Sequence, residues 1–114
     1  MERARQVLLE VRTAITDRRN ELLGDLRVVV DGSRDVATDD EHDPEGATIA
    51  YERAKATALV RHAEDRLADV HRALARLEAG DYAMCEQCGR DIGEARLHAR
   101  PSATTCVKCA LPTA

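Results

Sequence analysis

Every cysteine in the chain falls into one of two tight pairs, Cys85-Glu86-Gln87-Cys88 and Cys106-Val107-Lys108-Cys109, with seventeen residues between them. A Cys-x-x-Cys turn aims two sulfurs at one point. Two such turns joined by roughly 15 to 20 residues close around a single Zn²⁺ at Zn–S distances of about 2.3 Å. Cys85, Cys88, Cys106 and Cys109 are therefore the expected metal ligands, and one Zn²⁺ is the expected cofactor. Gly89 follows Cys88 directly, relieving the first turn and letting backbone N–H groups face thiolate sulfur. The second pair has Ala110 in that place and is expected to open a short helical turn, whose N-terminus also favours thiolate charge. Four protein ligands leave no position for water or substrate, so the site reads as structural and the chain as no enzyme. Two disulfides or a thioredoxin-like redox pair would use the same cysteines. Neither is favoured, because no secretory segment is read at the start and no βαβ pattern flanks either pair. His42, His62, His71 and His98 stand unpaired at ligand spacing.

A chain of 114 residues is one small unit with little room for a large core. It has no Phe and no Trp, and its aromatics are Tyr51 and Tyr82, so burial falls to Leu, Val, Ile and Ala. That palette suits helices packed along a seam. Apolar residues recur every seven positions at Leu8, Ile15, Leu22 and Val29, with Ala4, Val11 and Leu26 at or near the second seam position. This predicts a helix over about 3–31, weakened in its C-terminal half by Gly24 and by Val28-Val29-Val30, and stopped at Asp31-Gly32-Ser33 with Gly32 in a left-handed cap. A cleaner heptad runs through Ile49, Ala56, Ala63, Val70 and Leu77, paired with Val60, Leu67 and Leu74. Asp43-Pro44 marks its start as N-cap and first helical residue, and Gly80 its end, so the second helix is expected over 44–79.

The fold class follows: all-α with a small zinc ribbon, an antiparallel two-helix coiled-coil hairpin over 1–80 with an acidic tip loop at 32–43, then a four-cysteine zinc finger over 81–114. About thirty residues per helix make a rod of roughly 45 Å. The same heptads would serve an intermolecular coiled coil, but a monomer is expected. Charged residues off the seams, such as Arg12, Asp65 and Arg72, read as a solvated face. Within the finger, Ile92, Leu97, Val107 and Leu111 are the core candidates. So few apolar residues leave most of its folding free energy to the metal.

Charge removes further classes. The formal charge is −4, and four thiolates with one Zn²⁺ shift it to −6. Duplex affinity depends on Lys and Arg neutralising phosphates, so sequence-specific DNA binding is not expected. Residues 31–46 hold seven acidic side chains against Arg34 alone. Within that run Asp39, Asp40 and Glu41 read as solvated acids rather than a cation site. No apolar run approaches the roughly 18 residues of a membrane span, so a soluble, cytoplasmic protein is expected. There is no hydrolase triad, phosphate-binding glycine loop or paired-carboxylate cleft.

From Ala73-Leu74-Ala75-Arg76-Leu77-Glu78-Ala79-Gly80-Asp81-Tyr82, through Cys85-Glu86-Gln87-Cys88-Gly89, Asp91-Ile92-Gly93, Ala95-Arg96-Leu97, Ala99-Arg100-Pro101 and Ala103-Thr104, to Cys106 and Cys109, the chain resembles the DksA/TraR zinc-finger family. The resemblance implies a regulator of bacterial RNA polymerase that does not bind DNA. Its hairpin would enter the secondary channel of the enzyme with an acidic tip near the catalytic Mg²⁺, while the zinc ribbon grips outside. Several members couple this to ppGpp, a link that no residue of this chain specifically supports. The family tip pattern Asp-x-x-Asp-x-Ala falls on His42, Glu45 and Ala47, with Asp43 the nearest aspartate, so Asp43, Glu45 and Ala47 are the expected polymerase-interacting tip residues. The chain stops five residues after Cys109, short of the C-terminal helix of larger members. The competing readings are a zinc-ribbon and coiled-coil adaptor for another protein, and a thiol sensor in which oxidation ejects zinc.

Overall fold

The computed structural model describes residues 2–35 and 44–111, without the side chains of 33–35, 44 and 45. Two long helices, α1 (Glu2–Asp35) and α2 (Pro44–Ala79), precede two short ones, α3 (Glu94–Ala99) and α4 (Val107–Ala110). Among the described residues the only β-pairing is an isolated antiparallel bridge between Met84 and Asp91. The architecture is an antiparallel two-helix coiled-coil hairpin followed by a four-cysteine zinc finger, the fold class expected from the heptads and the cysteine pairs. No described helix is long and apolar enough to cross a membrane.

Contacts divide the chain into two compact units, Ile15–Asp65 and Met1–Ala14 with Arg66–Ala114. The core of the first is Ile15 and Leu22 from α1 with Ala56, Val60 and Ala63 from α2, all buried. The second encloses Leu8 of α1, then Leu67, Val70, Ala73 and Leu77 of α2, then Tyr82, Cys85 and Ile92. Fully burying a side chain such as Leu8 is worth about 1.5–3 kcal/mol. Arg5 Nη1 lies 3.9 Å from Glu78 Oε1, as the antiparallel register requires, but both side chains are half or more exposed and the pair adds little stability.

The seam on α2 keeps its heptad, with Ile49 and Leu74 half-buried and Ala73 buried as an additional position. That on α1 changes phase. Ala4, Leu8, Val11 and Ile15 alternate steps of four and three, but the next seam step is again of four, to half-buried Arg19, before Leu22, Leu26 and Val29; Thr16, beside Ile15, is half-buried as well. Such a stutter locally unwinds a coiled coil. Here it carries an arginine into the seam: Arg19 is half-buried, its Nε is enclosed with no partner, and its Nη2 reaches Asn20 Oδ1 only at 3.5 Å.

Two boundaries bear on the expectations. The stop expected at Asp31-Gly32-Ser33 is passed, and α1 continues to Asp35. Gly32 is not among the glycines of positive φ. Glycine costs about 1 kcal/mol relative to alanine inside a helix but keeps its N–H, so it weakens α1 there without removing a rung, as a proline would. Helix α2 opens on Pro44 and ends before Gly80, which has φ 85°. Gly80 N–H donates to Leu77 C=O at 3.2 Å and Asp81 N–H to Arg76 C=O at 2.8 Å, the paired bonds of a Schellman stop.

Candidate metal centre

The Schellman stop turns the chain straight into the first cysteine pair. Met84 N–H donates to Asp81 C=O at 3.0 Å, Ile92 N–H to Ala83 C=O at 2.8 Å and Cys85 N–H to Arg90 C=O at 2.7 Å, so residues 83–92 double back tightly. Gly89 N–H closes the tip on Cys85 C=O at 2.9 Å, with Gly89 at φ 74°, a conformation that a β-carbon disfavours. Cys85 and Ile92 are buried by this fold-back, and Tyr82 is buried with its hydroxyl donating to Pro101 C=O at 2.7 Å. Helix α3 follows, and Arg96 on it donates Nε to Thr105 C=O at 2.7 Å, fixing the approach to the second pair. Cys106 stands at the N-cap of α4, so the short helical turn expected there is present.

Of the finger's expected core residues, Ile92 is buried and Leu97 half-buried, but Val107 and Leu111 are 52% and 61% exposed. Helical spacing accounts for this. Cys106 and Cys109, three apart, share the inward side of α4, and Val107 and Leu111, four apart, fall on another. Tyr82 takes their place in the core.

The four sulfurs meet. All lie within 4.8 Å of one another, and Cys88 Sγ is 3.8 Å from Cys106 Sγ. A tetrahedron with Zn–S bonds of about 2.3 Å has S···S edges of about 3.8 Å, whereas a disulfide needs about 2.05 Å. The cysteines are free thiols, and among the described residues no histidine or carboxylate joins the cluster. Backbone donors point at the sulfurs. N–H groups of Cys88, then Cys106 and Gln87, pull the Cys85 thiol down to about 6, with Cys106 N–H 3.3 Å from Cys85 Sγ. The N–H of Cys109 likewise lowers Cys106. Cys109 is pushed up to about 12, first by its hydrogen bond with the Cys106 side chain and then by that with Cys85. Four crowded thiols cannot all ionise alone, and a dication supplies the charge that lets them. Donor set, spacing and N–H donors all fit one Zn²⁺ held in a closed, structural site.

Residues 79–112 match the prokaryotic DksA/TraR C4-type zinc finger. The four-cysteine module is thus similar to the DksA/TraR-type zinc finger. A 66-residue stretch, 58% of the chain, is 42% identical to the protein YteA of Bacillus subtilis, covering 28% of that protein. A 40-residue stretch is 42% identical to the RNA polymerase-binding transcription factor DksA of Escherichia coli, covering 35% of this chain and 26% of the relative. These alignments span less than a third of either relative. The fold extends the likeness: the structure of transcription factor DksA2 from Pseudomonas aeruginosa superposes with a TM-score of 0.79 at 28% identity, over 95% of this chain and 78% of that one.

The tip residues divide differently. Asp43 and His42 lie outside the described residues, as does the acidic run Asp39-Asp40-Glu41, and of Glu45 only the backbone, in the first turn of α2, is described. Ala47 is exposed in that same turn. Sequence reasoning gave no role to the side chains that link the zinc finger to α2, namely Arg76, Glu86 and Thr104, and it read Arg72, the other arginine near Glu86, as solvated face. Their only signal is an arginine pair at i,i+4 ending a helix shortly before a Cys-Glu step, which is too common to stand out.

Proposed function

We propose that this protein is a bacterial transcription regulator that binds RNA polymerase through the secondary channel and modulates initiation without binding DNA. In this reading residues 1–80 are the lever, carrying Asp43, Glu45 and Ala47 at its working tip. Residues 81–114 are the anchor, with Cys85, Cys88, Cys106 and Cys109 holding one structural Zn²⁺. The protein acts in the cytoplasm, as a monomer and not as an enzyme. The observation that carries it is the coincidence, in one chain, of a DksA/TraR-type finger with a fold that follows a DksA2 structure over 95% of the chain. Curated relatives bear the name of RNA polymerase-binding factors, which supports polymerase as the partner. The physics supports it too. An acidic run between two long helices suits entry into a channel lined by basic or metal-bearing groups, and complementary charge speeds and orients such docking.

Co-purification with core RNA polymerase and measurement of open-complex lifetime test this directly. Binding together with a changed lifetime at one promoter or more is the expected result, and neither at any promoter ends the reading. Given binding, Asp43→Ala with Glu45→Ala should abolish the regulatory effect with affinity largely kept. Loss of affinity alone would argue against action at the catalytic centre. Binding to some other protein instead of polymerase would favour the adaptor.

A further inference from the structure

The last turns of α2 hold the chain on both sides of the first zinc ligand. Arg76 Nη2 donates to Asp81 C=O at 2.9 Å and to the C=O of Met84, the residue before Cys85. Its Nη1 lies 3.8 Å from Oε2 of Glu86, the residue after Cys85. Glu86 carries the link onward to the second cysteine pair. Its N–H donates to Thr104 C=O at 2.9 Å, and its Oε1 accepts the Thr104 hydroxyl, also at 2.9 Å. Thr104 stands two residues before Cys106. A continuous path, Arg76 to Glu86 to Thr104, thus joins α2 to both pairs of sulfurs without passing through sulfur.

Burial separates the two arginines that approach Glu86. Arg72 Nη2 is 3.5 Å from Glu86 Oε1, but its side chain is 58% exposed against 19% for Arg76, so solvent screens the Arg72 pair far more. The Arg76 contacts also need a fork: one guanidinium spans two carbonyls and a carboxylate, which a single ammonium cannot match. A half-buried arginine that only closed the helix would leave Glu86 and Thr104 unexplained, because the Schellman bonds at Gly80 and Asp81 already end α2 with backbone alone.

We propose that Arg76 is a positioning residue for the metal centre. Through the carbonyls of residues 81 and 84 and through Glu86, it fixes where Cys85 and Cys106 stand before metal arrives, so zinc affinity is set in part from α2. By linkage, metal binding then tightens the end of α2 in return. The inference rests on the zinc finger alone and stands or falls separately from the polymerase reading.

The test uses the full chain with Arg76→Gln, Arg76→Lys, Glu86→Gln and, as control, Arg72→Gln. Zinc affinity is read by competition with a chromophoric chelator, and the thiolate set by the Co²⁺ spectrum. Loss of such outer partners weakens metal binding by about 10- to 100-fold. Arg76→Gln is expected in that range with the tetrahedral Co²⁺ spectrum kept, Arg76→Lys should recover only part, and Arg72→Gln should stay near wild type. The gain in amide protection over residues 72–79 on adding zinc should shrink in Arg76→Gln. Wild-type affinity in Arg76→Gln, an equal loss in Arg72→Gln, or full recovery by Arg76→Lys would overturn the proposal. If Arg76→Gln does not fold, Glu86→Gln carries the test: a loss of about tenfold supports the path, and unchanged affinity overturns it.

Discussion

Tyr82 shows how much rests on single side chains in a core with few aromatics. It is 5% exposed, and its hydroxyl holds Pro101 C=O at 2.7 Å, tying the segment before the first cysteine pair to the segment before the second. Tyr82→Phe keeps the ring and leaves that carbonyl without its donor, which should cost about 1 kcal/mol, seen as a lower midpoint in calorimetric unfolding of the zinc-loaded protein. Burial also raises the Tyr82 hydroxyl above the ordinary tyrosine value. The folded state then keeps this proton more tightly than the unfolded one, so the contribution is full below about pH 10 and falls as pH rises through the raised value. In Tyr82→Phe that part of the alkaline loss should vanish, as unfolding measured between about pH 9 and 12 would reveal. Burial of Tyr82 was not foreseeable from its neighbours. It follows from the return of the chain at Pro101, nineteen residues later.

Among the elements, the heptads of α1 and α2 announced the hairpin well, since a seven-residue apolar repeat has few other uses in a soluble chain. The details of α1 were less visible. Its phase change after Ile15 places Arg19 where an apolar residue belongs, a choice made by how the helix meets its neighbour and not by its own propensity. Because Arg19 Nε is enclosed without a partner, Arg19→Leu should stabilise the protein by about 1 kcal/mol. A midpoint that rises in thermal unfolding followed by helical circular dichroism checks this, and a fall would mean that the guanidinium has a role in the seam. The run past Gly32 to Asp35 belongs to the same scale: local punctuation weakened the helix without ending it.

At the scale of the molecule, stability has two sources. The hairpin rests on apolar burial along helices of 34 and 36 residues, while the finger encloses Tyr82, Cys85 and Ile92 and is expected to draw most of its stability from metal. Chelation should therefore unfold residues 81–114 and spare much of the helical signal. Far-ultraviolet circular dichroism that changes little, alongside lost near-ultraviolet tyrosine signal and rapid proteolysis after residue 80, is the expected outcome. An unchanged near-ultraviolet signal would contradict it. What the sequence determined by itself was whatever depends on spacing along one segment: two Cys-x-x-Cys turns, two apolar stripes, a proline that opens a helix and a glycine that closes one. Tertiary structure alone decided which side chains from distant segments meet: Arg76 with Glu86, Glu86 with Thr104, Tyr82 with Pro101. Spacing fixes which way a side chain points within its own element, whereas such pairings depend on where the chain returns, and charged and polar residues common along the sequence acquire meaning only there.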